Sequence, residues 1–177
     1  MIKVSFTTAL FASFSILLYF LILDWLSLNP FGKYQYLYFG LYGIFFVAAL
    51  KYFRDRLQKG TLRYRQGIAL CLTMNFLTAM LLGMWLYAYM TWLDAHPLAL
   101  ETHKKELYEH LKNNEQFFIE NFGKESYQTQ LTSIPTITAS LIARDTAMRL
   151  LIAGFLMSFI FTAFFRKKTS ESKKVLT

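Results

Sequence analysis

The chain has 177 residues and a formal net charge of +8, and 55% of it is hydrophobic, with 18 Phe and 11 Tyr. Ordinary soluble domains are roughly 45–50% apolar, so this composition excludes them and makes the bilayer the expected solvent. The Lys and Arg residues cluster beside apolar runs instead of forming one basic face with base-stacking aromatics; this excludes nucleic acid as a partner and points to anionic lipid headgroups.

The first apolar run follows Lys3 and extends from Val4 to about Leu23, then Asp24-Trp25-Leu26-Ser27-Leu28. It is too long for a signal-peptide core and lacks a small-residue cleavage pattern, so it reads as a retained span over residues 6–28. Asn29-Pro30-Phe31-Gly32 ends it, because Pro cannot continue a helix and Gly permits a tight reversal. A second span over 36–53 is expected to form an antiparallel hairpin with the first; its apolar part, at ~1.5 Å per residue, matches a hydrocarbon core of ~30 Å.

Residues 51–67 are short and strongly basic. Lys51, Arg54, Arg56, Lys59, Arg63 and Arg65 are opposed there only by Asp55. Loops of this kind resist translocation and stay in the cytoplasm. Gly60 is expected to break the helix and Gly67 to open the third span, 68–93. The interleaved Tyr52, Phe53, Leu57, Leu62 and Tyr64 imply a loop folded on the inner membrane surface, its bases contacting anionic headgroups. Trp85, Tyr87, Tyr89 and Trp92 crowd the far end of the third span, where amphipathic rings prefer the interface, and Trp25, Tyr34, Tyr36 and Tyr38 belong at the same level.

From 94 to 145 the chain is polar, an excursion outside the membrane. His96-Pro97 fits a helix exit and restart. Leu98–Phe122 reads as a helix striped by Leu100, Leu107, Leu111 and Phe118, an apolar side for the bilayer surface or for capping the bundle. Gly123 terminates it, and Tyr127–Ser140, rich in Thr, Ser and Gln around Pro135, reads as a loop with little regular structure. The fourth span is 146–165; Arg166-Lys167-Lys168 stops it, and the polar tail 166–177 is expected to be disordered.

Topology follows from charge. Lys3, the bases of the 51–67 loop, and Arg166, Lys167, Lys168, Lys173 and Lys174 would lie on one side, which places both termini in the cytoplasm and 94–145 outside. No internal repeat or inverted symmetry of a transporter fold is visible.

Three groups carry candidate chemistry. His103, Glu106 and His110 sit at i, i+3 and i+7 and would present two imidazoles and a carboxylate on one helix face, the pattern of a metal site. Adjacent Lys104 and Lys105 and the lack of a specified fourth ligand favour a solvated face, and no metal or cofactor is expected. Asp24 and Arg149 lie just inside the outer ends of spans one and four, Arg149 preceded by Arg144 and Asp145. Ionisable groups at membrane depth usually face a partner, so a structural ion pair between them is expected, in preference to an ion or proton pathway. Asn75, with Thr73 and Thr78, is expected to hydrogen-bond between helices.

The remaining signals concern packing. Thr8, Ala12 and Ser15, then Gly40 and Gly43, and Gly154 with Ser158 put little bulk on one helical side, which lets backbones approach. The single cysteine, Cys71, excludes an intrachain disulfide framework and a multi-Cys zinc site, and reads as inert packing. There is no Gly-rich phosphate loop, nucleophile elbow or Cys/His nucleophilic pair.

The join of spans two and three, Ala49-Leu-Lys-Tyr-Phe-Arg-Asp-Arg56, then Gly60, then Leu62-Arg-Tyr-Arg-Gln-Gly67, resembles the KYYRD…G…F-x-QG pattern of the bacterial membrane family called domain of unknown function 4199, with Tyr64 in the place of Phe. The resemblance implies an all-α polytopic plan of four spans, a charged helical excursion between spans three and four, and a Lys-rich end, over nearly the whole chain. It carries no activity. The expectation is a non-enzymatic protein of the bacterial inner membrane, an accessory or assembly component with a membrane-protein partner. The alternative is a small transporter-like or lipid-binding protein using Asp24, Asn75 and Arg149, and an enzyme built on the His103 row ranks third.

Overall fold

The computed structural model describes residues 1–92 and 97–166; Asp94, His96, Lys167, Lys168, Lys173, Lys174 and the Trp92 side chain lie outside the described residues. The described part is helical, with no β-strand among the described residues. Its helices are α1 (Ile2–Trp25), α2 (Tyr38–Tyr52), α3 (Tyr64–Trp92), α4 (Pro97–Asn113), α5 (Glu115–Phe122), α6 (Lys124–Ser133) and α7 (Ala139–Phe165). Ile2–Trp25, Lys33–Leu57, Tyr64–Thr91 and Ala139–Phe165 are long and apolar enough to cross a membrane.

The central helix is α3, which packs chiefly against α1 on one side and α7 on the other. Its sequence explains this placement: Leu70, Cys71, Met74, Asn75, Thr78, Ala79, Leu82 and Leu86 recur at three- and four-residue intervals and are all buried. Close approach is bought with small residues. On α1 the buried side is Ser5, Ala9, Ala12 and Ser13, whereas Thr8 and Ser15 flank it half-buried. Ser5 Oγ donates to Leu70 O of α3 at 3.1 Å. Gly67 lies inside α3, where a Cβ would stand 2.5 Å from Thr162 Cγ2 of α7, so it is a contact residue rather than the residue that opens the helix. Gly43 rests near Phe161, 3.6 Å from the position of a Cβ, but Gly40 faces open space and packs nothing.

Turns at the helix ends follow local chemistry. Between α1 and α2, Asn29 Oδ1 accepts from Phe31 N at 2.9 Å, an Asx turn that lets Pro30 reverse the chain. A 3₁₀ turn, Lys33–Leu37, then leads into α2. At the other end α2 runs into a π turn, Phe53–Leu57, and the chain reverses through Lys59 and Gly60 with positive φ of 49° and 85°. Phe53 and Leu62 are buried while Tyr52, Leu57 and Tyr64 stay exposed, so the basic turn is folded onto the bundle.

The excursion is more helical than its composition implies. Of the loop expected over 127–140, residues 127–133 belong to α6, 134–136 form a 3₁₀ turn, and α7 starts at Ala139, capped by Thr138 Oγ1 accepting from Leu141 N at 3.3 Å. Burial outweighs the low helix propensity of Thr, Ser and Gln here, because Tyr127, Leu131 and Ile134 pack on Leu107, Leu111 and Phe118. The single helix expected over 98–122 breaks at Asn114, whose φ of −114° and ψ of 23° leave the helical range and whose Nδ2 donates to His110 O at 2.8 Å, a carbonyl it shares with the Asn114 backbone N–H. Leu100 and Ile137 also touch the main core, joining this small cluster to the bundle.

Candidate functional site

The reversal 27–36 and one face of α4 enclose a cleft of about 540 Å³ at the end of the bundle that carries α4–α6. Phe31 is the foundation: its ring stacks on Phe20 of α1 at 5.7 Å and meets the His103 ring edge-on at 5.7 Å. Asn29 Nδ2 donates to Glu106 Oε2 at 2.7 Å and lies 3.3 Å from His103 Nδ1. That contact suits a neutral imidazole with Nδ1 as acceptor. Burial pushes the His103 imidazole below its ordinary value, with Glu106 pulling upward and Arg149 adding to the drop. The neutral form is therefore favoured in the cleft.

The row His103, Glu106, His110 does not form a metal centre. His103 and Glu106 are tied to Asn29, and His110 turns to Asn114 and to the edge of Phe118. Among the described residues, no three His, Cys, Asp or Glu side chains gather so as to hold an ion. A shared helix face is not a shared point, and Asn29, which reads as a turn residue, takes the place of a ligand by holding two members of the row.

The expected Asp24–Arg149 pair is also replaced. Tyr89 Oη donates to Asp24 Oδ2 at 2.6 Å, while Arg149 contacts Asp145 Oδ2 at 2.8 Å and donates to Tyr36 Oη at 3.1 Å. Each charge finds a partner one helix turn away or on a neighbouring element. Tyr89 and Tyr38 are accordingly buried in the bundle rather than placed with Trp25, Trp85, Tyr87 and Tyr36 on its surface.

Deeper in the bundle a polar knot joins three helices. Tyr42 Oη of α2 donates to Asn75 Oδ1 of α3 at 2.9 Å, and Asn75 Nδ2 donates to Leu151 O of α7 at 2.9 Å. Gly154 makes room for the amide, since a Cβ there would stand 2.1 Å from Asn75 Oδ1. Thr73 and Thr78 instead return their hydroxyls to Ala69 O and Met74 O of their own helix. Cys71 is buried against Thr162 Oγ1 at 3.9 Å. No buried side-chain nitrogen or oxygen lacks a partner among the described residues.

At the opposite end the start of α1, the end of α2, the start of α3 and the end of α7 come together. Lys51, Arg56, Lys59, Arg63 and Arg65 are exposed there. Arg54 is held by Asp55 at 2.6 Å and covers the Phe165 ring at 5.7 Å, which fastens the basic turn to α7.

Fold and sites together define an all-helical protein of the membrane type: four apolar helices closed by internal hydrogen bonds, a helical cap at one end and a basic turn at the other. The chain belongs to the family described as Protein of unknown function (DUF4199), whose profile matches residues 3–167. No curated protein and no solved structure matches it.

Proposed function

We propose that the chain is a non-enzymatic integral protein of the bacterial inner membrane, an accessory or assembly component of a membrane complex. In this reading α1, α2, α3 and α7 cross the bilayer, the basic turn 51–67 and both termini are cytoplasmic, and 94–145 lies outside. The charge pattern supports the orientation: Lys3, Lys51, Arg56, Lys59, Arg63, Arg65 and Arg166 share one end of the bundle. The observation that carries the functional reading is the closed polar knot of Tyr42, Asn75 and Leu151. Polar groups at depth that satisfy one another hold helices together; a conducting route needs them to face a cavity. Surfaces for a partner are supplied by the cap, where Phe117, Phe118 and Phe122 of α5 form an aromatic run with Phe117 and Phe122 exposed.

Purification in a mild detergent tests this. The expected result is a stoichiometric membrane-protein partner that is lost when Phe117 and Phe122 are both changed to Ser; a chain that elutes alone, with or without those changes, overturns it. A second reading, a lipid-binding protein, has its own support in a groove between α1 and α2.

A further inference from the structure

At the basic end α1 and α2 separate. Their close packing is at the other end, where Phe20 meets Tyr38 at 5.7 Å. Toward the basic end the facing residues are small: Thr7 and Thr8 on α1 lie opposite Ala48 on α2. The result is an open hollow of about 430 Å³, within the range of small-molecule sites. Its walls follow helical spacing, with Lys3, Thr7 and Phe11 four residues apart on α1 and Phe45, Ala48 and Tyr52 along one face of α2.

The lining is apolar at Val4, Phe11 and Phe45, and the rim toward the basic end is cationic. Lys3 lines the hollow itself. Ala48 and Tyr52 also line a neighbouring hollow with Lys51 and Arg56, so one wall carries both sets of basic groups. Asp55, the carboxylate at that rim, is engaged by Arg54 at 2.6 Å, which leaves the rim positive. An apolar slot that ends in cations and two threonine hydroxyls has the chemistry of a lipid whose tail is hydrocarbon and whose head is a phosphate.

We propose that this hollow binds one anionic phospholipid, with an acyl chain between α1 and α2 and the phosphate among Lys3, Lys51 and Arg56. The inference rests on the membrane placement proposed above. It differs from general attraction of a basic loop to a negative surface in two respects: occupancy is one lipid per chain, and only the bases beside the slot matter. Arg63 and Arg65 line neither hollow and serve as controls.

The test is native mass spectrometry of the full chain released from vesicles of phosphatidylglycerol or of phosphatidylethanolamine. The wild-type chain is expected to retain one phosphatidylglycerol and little phosphatidylethanolamine. Lys3→Gln should lower retention about fivefold, the effect of one basic residue near a lipid surface. Ala48→Trp, which fills the slot from an exposed position, should abolish retention, whereas Arg63→Gln should leave it unchanged; circular dichroism confirms that each variant is folded. Equal retention of both lipids, equal loss in Arg63→Gln and Lys3→Gln, or full retention in Ala48→Trp overturns the site while the membrane placement stands. Failure to enter vesicles of either lipid overturns the placement and the site together.

Discussion

Replacing Gly154 by Ala tests the polar knot at its tightest point. The new Cβ would stand 2.1 Å from Asn75 Oδ1, 2.4 Å from Cγ and 2.8 Å from Nδ2, so the whole amide must swing away. Doing so breaks the bond from Tyr42 and the bond to Leu151 O. Interhelical hydrogen bonds in membrane proteins contribute on average ~0.6 and at most ~1.7 kcal/mol each. Forcing an extra carbon into a packed interior adds ~1–3 kcal/mol. The expected destabilisation is therefore about 2–6 kcal/mol, read from reversible unfolding in mixed SDS micelles. Asn75→Ala removes the amide and both bonds but leaves space for the methyl. The double variant should accordingly be about as stable as Asn75→Ala alone, a coupling of the kind expected for residues in contact. An unchanged Gly154→Ala, or a double variant as weak as the sum of the two single changes, would refute the account of the knot.

Two further outcomes concern the cap end. Because burial holds His103 below its ordinary value, the unfolded or undocked form binds protons more readily, and docking of α4 weakens in acid. The contribution is complete above about pH 6.5, the ordinary His value, and is lost as pH falls through the lowered value in the cleft. Protection from hydrogen exchange around Asn29–Gly32 and α4, corrected for the intrinsic pH dependence of amide exchange, should therefore fall below that pH, and His103→Gln should remove that fall; protection in the wild-type chain that stays constant with pH contradicts it. Asp24→Asn should couple with Tyr89→Phe in stability but add independently to Arg149→Gln, so exchanging the charges of Asp24 and Arg149 should restore no folded yield. Recovery in the exchanged variant would reinstate the direct pair.

Much of the helical plan was legible because an apolar run near 20 residues has few ways to satisfy its backbone in lipid. The run after Lys3, the Asn29-Pro30 reversal and the basic stretch after Tyr52 locate the helices, and Gly60 and Gly123 mark positive-φ turns at 85° and 84°. The bounds moved both ways: α1, α3 and α7 start earlier than expected, at Ile2, Tyr64 and Ala139, whereas α1 ends at Trp25 instead of 28 and α2 starts at Tyr38 after a 3₁₀ turn instead of at 36. Helix α6 was missed for a readable reason. Tyr127, Leu131 and Ile134 are at i, i+4 and i+7, but Pro135 and the run of Thr, Ser and Gln drew attention to turn chemistry.

The candidate sites were less legible than the helices. Asn75 was identifiable as a polar group in an apolar run, and its partners lie on neighbouring helices as such a residue requires. His103, Glu106 and His110 were legible as a row, but their real partner, Asn29, is 74 residues from His103 in sequence. Likewise Tyr89 and Tyr36, which satisfy Asp24 and Arg149, look like interfacial aromatics until the helices are packed. Local spacing reports which side chains share a face and not which residue of another element meets them.

Orientation is the claim on which the proposed function most depends, and cysteine labelling tests it directly. In a Cys71→Ser background, Glu125→Cys and Lys59→Cys place one exposed thiol on the cap and one on the basic turn. With a membrane-impermeant maleimide on spheroplasts, the account predicts labelling at position 125 before lysis and at position 59 only after it. Labelling at 59 in intact spheroplasts, with 125 protected until lysis, would contradict it.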